Sequence, residues 1–357
     1  MLALLLTGCG RNVVYSFTYP TVPAAPFSGV ITAYHAYGDS ITSGYTLSSS
    51  STQAYPYLIG NDNGYAVADF GIPGDQACDI APRQIGRNLD APGAAGFPLY
   101  TMLIGTNDAD VKGVGPYEAT FNLCQQAAIG WLAVPLDLKV LAPSGMVTQG
   151  VGTVASMGGW KYWLTDTQDS SISFSIELPA AAPVYVWRRI VDGDSGTYTV
   201  AVDGTLAGSL TTASFPAMST QNGTTASVAL FRIPAVPAGQ HTILFTQTSA
   251  VGTMQIVGIG APPTAKRSLP PVIVGSVPLQ MAGTSAPCST NPLWCYGYTA
   301  DVYANVMLFH DDGLDVRFAD NHPYMHATAA EMNDPIHPNP LGQSELRTAF
   351  ETQIPGH

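Results

Sequence analysis

The chain has 357 residues, with 13 Lys and Arg against 25 Asp and Glu, a net charge of −12. That balance excludes nucleic acid as a partner, because neutralising phosphates takes clustered Lys and Arg. A hydrophobic content of 46% excludes disorder, and no apolar run reaches the roughly 18 residues a membrane span needs.

Only 11% of residues are charged, against roughly 25% in an average domain. Gly (36) and Pro (28) are abundant, which suits turn-rich β structure and an exported protein. The length makes two folding units the expectation.

The chain opens MLALLLTGCGRN. An apolar run ending Leu6-Thr7-Gly8-Cys9 looks like the end of a bacterial lipoprotein signal, which makes Cys9 the lipidation candidate. The run is short and lacks a basic n-region, which fits a true start upstream of Met1. A buried N-terminal strand with a chance Cys is the plainer alternative. Residues 11–29 are Pro-rich and read as a tether, so a lipid anchor is the sole membrane contact expected.

Residues 30–37, 66–70 and 99–104 are apolar, β-rich runs, and 116–131 has a helical pattern. Strand and helix alternating in this way imply a parallel sheet covered on both faces. From about 136 to 265 the texture changes to strand-like runs at 171–178, 184–191, 196–202, 226–233 and 240–247, separated by turn signals. That pattern predicts an antiparallel β-sandwich. Residues 270–278 return to the buried-strand type, followed by a helix at 300–309, a strand at 314–318 and a last helix from 342 to 353. The reading is thus a tether (1–29), an α/β domain in two pieces (30–135 and 266–357) and a sandwich inserted between them (136–265).

Apart from Cys9, the cysteines are Cys78, Cys124, Cys288 and Cys295, an even number as expected outside the cytosol. Cys288 and Cys295 flank a short loop and are expected to close it. Cys78 and Cys124 then pair and tie together the helices that follow residues 74 and 115. No CxxC or Cys/His cluster offers a metal site. His322 and His326 are four apart, but Pro323 separates them and no third ligand is evident.

Four short blocks carry the chemistry. Gly38-Asp39-Ser40-Ile41-Thr42 follows the first strand, Gly71-Ile72-Pro73-Gly74-Asp75 the second, and Gly105-Thr106-Asn107-Asp108 the third. Asp334-Pro335-Ile336-His337-Pro338 lies near the C-terminus. Ligands bind at the carboxyl ends of strands in open α/β sheets. A serine hydroxyl needs a base to take its proton, and His337 can supply one. Asp334, three residues earlier, can hold the other imidazole nitrogen. Ser40 is predicted to stand where a strand hands over to a helix, with the helix N-terminal N–H groups facing its Oγ.

The four blocks together resemble the SGNH (GDSL-type) hydrolase superfamily of esterases, lipases and carbohydrate deacetylases. The resemblance covers roughly residues 30–130 and 270–350 and leaves out the insert. It implies a flavodoxin-like, three-layer α/β fold, which the strand pattern of 136–265 interrupts with a jelly-roll-like sandwich. It also implies a catalytic triad of Ser40, His337 and Asp334, an oxyanion hole of Ser40, Gly74 and Asn107, and no cofactor or metal. The tripeptide alone is weak evidence, since Gly193-Asp194-Ser195 repeats it in a turn between sandwich strands. Asp39 reads as a cap and Asp108 as a loop-holding residue. No GxSxG elbow occurs, which disfavours the α/β-hydrolase route to the same chemistry.

The leading expectation is an exported serine esterase, periplasmic, surface-bound or secreted, acting on an acylated carbohydrate with short acyl groups. A lipase, lysophospholipase or thioesterase is the rival within the class. A glycan-binding surface lipoprotein with an inactive hydrolase core is the rival outside it. The GGWKYW run (Trp160, Tyr162, Trp163) offers a sugar-stacking platform or, more commonly, buried sandwich aromatics.

Overall fold

The computed structural model describes residues 19–20, 27, 29–88, 97–213, 218–264 and 267–356. Cys9 and the signal-like run lie outside the described residues. The first part of the chain runs β1 (Ile31–Gly38), α1 (Ser50–Gln53), α2 (Tyr55–Asn63), β2 (Val67–Asp69), α3 (Ala77–Asp79), β3 (Phe97–Leu103), α4 (Thr106–Lys112) and α5 (Tyr117–Ala133). Strands then follow one another: β4 (Lys139–Leu141), β5 (Met146–Gln149), β6 (Thr153–Met157), β7 (Trp160–Thr165), β8 (Ser171–Leu178), β9 (Ala182–Val191), β10 (Thr197–Val202), β11 (Thr205–Thr211), β12 (Ala226–Val236), β13 (Gly239–Gln247) and β14 (Met254–Gly260). The last part is β15 (Val272–Gly275), α6 (Pro287–Thr290), α7 (Leu293–Asp311), β16 (Val316–Ala319) and α8 (Pro340–Glu351).

β1, β2, β3, β15 and β16 form one sheet in the order β16-β15-β3-β1-β2, every pair parallel. Counted along the chain, these strands stand in the order 2-1-3-4-5, a doubly wound arrangement whose switch point lies between the first and third strands. Both faces are covered, as a parallel sheet requires. Tyr34 and Ala36 of β1 face Tyr55 and Ile59 of α2 and Leu346 and Phe350 of α8. Tyr37, Met102, Val272 and Val274 face Phe121 of α5 and Val306 and Phe309 of α7.

The remaining strands form two antiparallel sheets, β11-β10-β13-β8-β5 and β12-β9-β14-β7-β6, with β4 added on β14. Ile172, Phe174, Val200 and Phe245 of the first face Val184, Val186, Ile233 and Ile256 of the second across a buried apolar core. The second sheet is buried on its outer face too. Tyr185 and Trp187, which alternate with Val184 and Val186 along β9, point the other way and join Trp131 and Trp160 in the core of the α/β unit. The Trp131 ring lies 4.2 Å from Trp160 and 5.4 Å from Trp187. Truncating such a buried indole typically costs about 3–5 kcal/mol, so these rings fasten the sandwich to α5.

One local expectation is overturned. No helix begins at Ser40: residues 40–46 form turns, with Tyr45 N–H donating to Ser40 O at 2.9 Å and Ser43 N–H to Asp39 O at 3.1 Å. Gly44 and Thr46 take positive φ, +67° and +74°, a backbone conformation that ends a right-handed helix. Ser40 therefore has turn amides around it, and no helix dipole is aimed at its Oγ.

Candidate active site

β1 delivers Ser40 at its carboxyl end, next to the switch point. Gly38 is required there by close approach, since a Cβ would sit 2.1 Å from Thr42 Oγ1 and 2.4 Å from Leu103 O. Gln84 pins the same residue from below, accepting Gly38 N–H at 3.0 Å and donating to Gly38 O at 2.7 Å. Ser40 Oγ lies 3.0 Å from His337 Nε2. On the far side of that ring, His337 Nδ1 lies 2.7 Å from Asp334 Oδ2 and 2.9 Å from Oδ1.

Asp334 Oδ1 also accepts the backbone N–H groups of Ile336 and His337, both at 2.8 Å. Partial burial alone raises this carboxyl, but those N–H groups and the His337 ring outweigh it and hold the group below the usual range. An ionised carboxylate only accepts, so Nδ1 carries the proton and Nε2 is left to accept from the Ser40 hydroxyl. The loop is anchored at both ends. Asn333 N–H donates to His337 O at 2.8 Å, and the Asn339 side chain caps α8 through the N–H groups of Leu341 and Gly342. Tyr45, more than half exposed, sets its ring edge-on to His337 with centroids 5.1 Å apart.

The loops after β2 and β3 close in from the other side. Ile72 N–H donates to Gly38 O at 3.1 Å, and Asp75 N–H to Ile72 O at 3.1 Å. Residues 72–75 are thus a turn with Pro second and Gly third. Gly74 has a φ of +82°, the mark of a type II turn. Asn107 Nδ2 donates to Asp75 O at 2.9 Å, which leaves its second amide hydrogen uncommitted among the described residues. The backbone N–H groups of Ser40 and Gly74 likewise meet no acceptor among the described residues.

Buried carboxyls support these loops. Asp108 accepts Ala77 N–H at 3.1 Å and the Tyr117 hydroxyl at 3.0 Å. Asp75 takes Gln84 Nε2 at 2.8 Å and pairs with Arg83. Asp39 accepts Ile41 N–H at 2.9 Å in a local turn and caps no helix. Burial pushes Asp39 and Asp108 up to about 7 and Asp75 up to about 6. Chemically, the site offers a hydroxyl with a base on it, a base with a fixed tautomer, and free N–H donors on three adjoining loops.

No family model matches the chain, and no curated protein matches it. Solved structures give weak similarities. A family 6 carbohydrate-binding module from Clostridium stercorarium, in complex with cellobiose, is 18% identical over 35% of this chain and 93% of that one, with a TM-score of 0.27. The C-terminal family 6 module of a laminarinase from Zobellia galactanivorans is 16% identical over 35% of this chain and 98% of that one, at 0.28. A two-domain esterase active on acetylated mannans, co-crystallised with mannopentaose, is 12% identical over 66% of this chain and 92% of that one, at 0.36.

Other sequence candidates resolve as follows. Cys78 pairs with Cys124 and Cys288 with Cys295, and two disulfides fit an oxidising compartment. No helix among the described residues is long and apolar enough to cross a membrane. His322 is buried with Nε2 2.9 Å from Val277 O, while His326 is exposed beside Glu331, so the two do not share a site. Asp194 of the second Gly-Asp-Ser accepts Gly196 N–H at 2.7 Å and Thr253 N–H at 2.9 Å, a turn role. Trp160, Tyr162 and Trp163 are buried, Trp160 Nε1 donating to Ala81 O at 2.8 Å, which removes them as a stacking platform. Gln84, Tyr45, Gln221 and Asn222 at the site carry no sequence motif and were not foreseen.

Proposed function

We propose that this chain is an exported serine esterase of the SGNH type, its hydrolase domain formed by residues 30–135 and 266–357 around an inserted sandwich of 136–265. The single observation that carries the reading is the relay in which His337 Nε2 stands 3.0 Å from Ser40 Oγ while Nδ1 stands 2.7 Å from Asp334. In this reading Ser40 attacks the ester carbonyl as His337 takes its proton. The alkoxide that develops on the carbonyl oxygen is stabilised by the N–H groups of Ser40 and Gly74 and the Asn107 amide. His337 then protonates the leaving alcohol, and water, deprotonated by the same imidazole, releases the acyl group.

The alcohol half of the substrate is proposed to be a carbohydrate and the acyl group short. The side chains near the relay that are exposed include Tyr45, Thr46, Gln221, Asn222 and Asn333, with Pro73 beside them. Amides with one aromatic ring suit a polyol, which offers hydroxyls to the amides and a C–H face to the ring. Hydrolysis of p-nitrophenyl esters of increasing chain length, with Ser40→Ala alongside, tests the reading. Activity on acetate that falls with chain length and vanishes in Ser40→Ala is expected, with acetylated polysaccharides as the next substrates. Activity rising with chain length would replace it with a lipase. No activity above a folded Ser40→Ala would leave a binding protein.

A further inference from the structure

Residues 220–222, which precede β12, lie on the turn that follows β2. Gln221 N–H donates to Gln76 Oε1 at 2.9 Å, and Gln221 Nε2 to Gly74 O at 2.8 Å. Asn222 Nδ2 donates to Pro73 O at 3.2 Å and to Asp75 Oδ1 at 2.8 Å. Thr220 Oγ1 anchors the segment on buried Asp79 at 2.9 Å.

The carbonyl of Pro73 and the N–H of Gly74 are two ends of one peptide unit. That unit is planar and trans, so its O and H point in opposite directions. It is also the central peptide of the 72–75 turn. Types I and II of such a turn differ by a half-rotation of that peptide, and glycine in the third position permits the second form at no steric cost. A donor fixed on Pro73 O therefore selects one of two orientations for the Gly74 N–H.

We propose that Asn222, contributed by the sandwich, is a positioning residue for the esterase reaction: it holds the Pro73–Gly74 peptide with its N–H directed at the reacting carbonyl oxygen. The inference rests on the esterase reading. It makes the sandwich part of the catalytic apparatus, in addition to any part it plays in substrate binding.

The test uses the full chain and p-nitrophenyl acetate, with Ser40→Ala as baseline. Asn222→Ala is expected to lower kcat about 10- to 100-fold, less than outright loss of an oxyanion donor, with KM within about twofold. Asn222→Asp, which sets a carboxylate against Pro73 O and Asp75, is expected to lower kcat further. A boronic acid that forms a tetrahedral adduct with serine should bind Asn222→Ala more weakly by a similar factor. Arg232→Gln removes another sandwich-to-core contact, the 2.8 Å bond from Nε to Asp312, far along the chain from the turn, and should keep the wild-type kcat. A wild-type kcat in Asn222→Ala, or an equal loss in Arg232→Gln, overturns the proposal while leaving the esterase reading in place. Wild-type activity no higher than that of Ser40→Ala overturns both.

Discussion

Asp334 Oδ1 accepts both the ring Nδ1 of His337, at 2.9 Å, and that residue's backbone N–H, at 2.8 Å. One carboxylate thus fixes the main chain and the ring of the same residue. Asp334→Asn can still accept the backbone N–H, but its NH2 group then faces Nδ1 and favours the tautomer with the proton on Nε2. That proton would point at Ser40 and block base catalysis. The expected result is a fall in kcat of about 10²–10⁴ with near-normal folding. A loss under about tenfold in steady-state ester hydrolysis would contradict the orienting role.

Asn107 has one amide hydrogen on Asp75 O and one uncommitted. If the free one serves the oxyanion, Asn107→Ala should lower kcat by about 10²–10³, corresponding to about 2.7–4 kcal/mol, and leave KM for a short ester almost unchanged. A variant whose KM rises while kcat stays put would assign Asn107 to ground-state binding instead.

The two disulfides should differ in their effect on stability. Cys78 and Cys124 are 46 residues apart, Cys288 and Cys295 only 7. Loop-closure entropy puts the first at about 4 kcal/mol and the second at about 2 kcal/mol. Urea unfolding of the double Cys→Ala variants would measure both. Equal losses, or a larger one for the short loop, would point to native-state packing as the source. The short loop also lies beside the His337 loop, because Cys288 N–H donates to Gln280, and the next residue, Met281, donates its N–H to Pro335 O at 2.9 Å.

What could be read from the sequence depended on whether the signal was local. The β8 segment, Ser171–Leu178, has one dry and one wetter face, and its alternation gives its bounds directly. β14, Met254–Gly260, is buried along its whole length, so it shows no alternation and was not predicted. β5 and β6 escaped for the opposite reason, since most of each is exposed. At Ser40 the strand–helix alternation predicts a helix, but the chain turns instead, with positive φ at Gly44 and Thr46. The Ser40, Asp334 and His337 cluster was legible because each lies in a short block with a recognisable neighbour. Asn222 was not: it meets Asp75 from 147 residues away, and no local pattern records a contact of that range.

Asp39 offers a test of the buried carboxyls. One of its oxygens accepts Ile41 N–H, and Oδ2 has no partner among the described residues. Burial first, then the charges of Asp108, Asp75 and Asp110, push it up to about 7, against about 3.9 in an unfolded chain. Between those values the folded protein keeps a proton that the unfolded chain has lost. The contribution of Asp39 to stability therefore falls as pH rises from about 4 to about 7, then levels. Asp39→Asn keeps an oxygen for Ile41 N–H and cannot ionise. Relative to wild type it should gain stability steadily across that window, by on the order of a few kcal/mol at pH 8. Taking the difference between the two proteins removes the opposing slopes of His35 and His322, which burial lowers, and of Lys139, which burial brings down to about 7. Urea midpoints of both proteins at pH 4.5, 6 and 8 would show it. A wild-type-to-variant difference that stays constant with pH would mean that Asp39 titrates normally and that its burial is compensated within the fold.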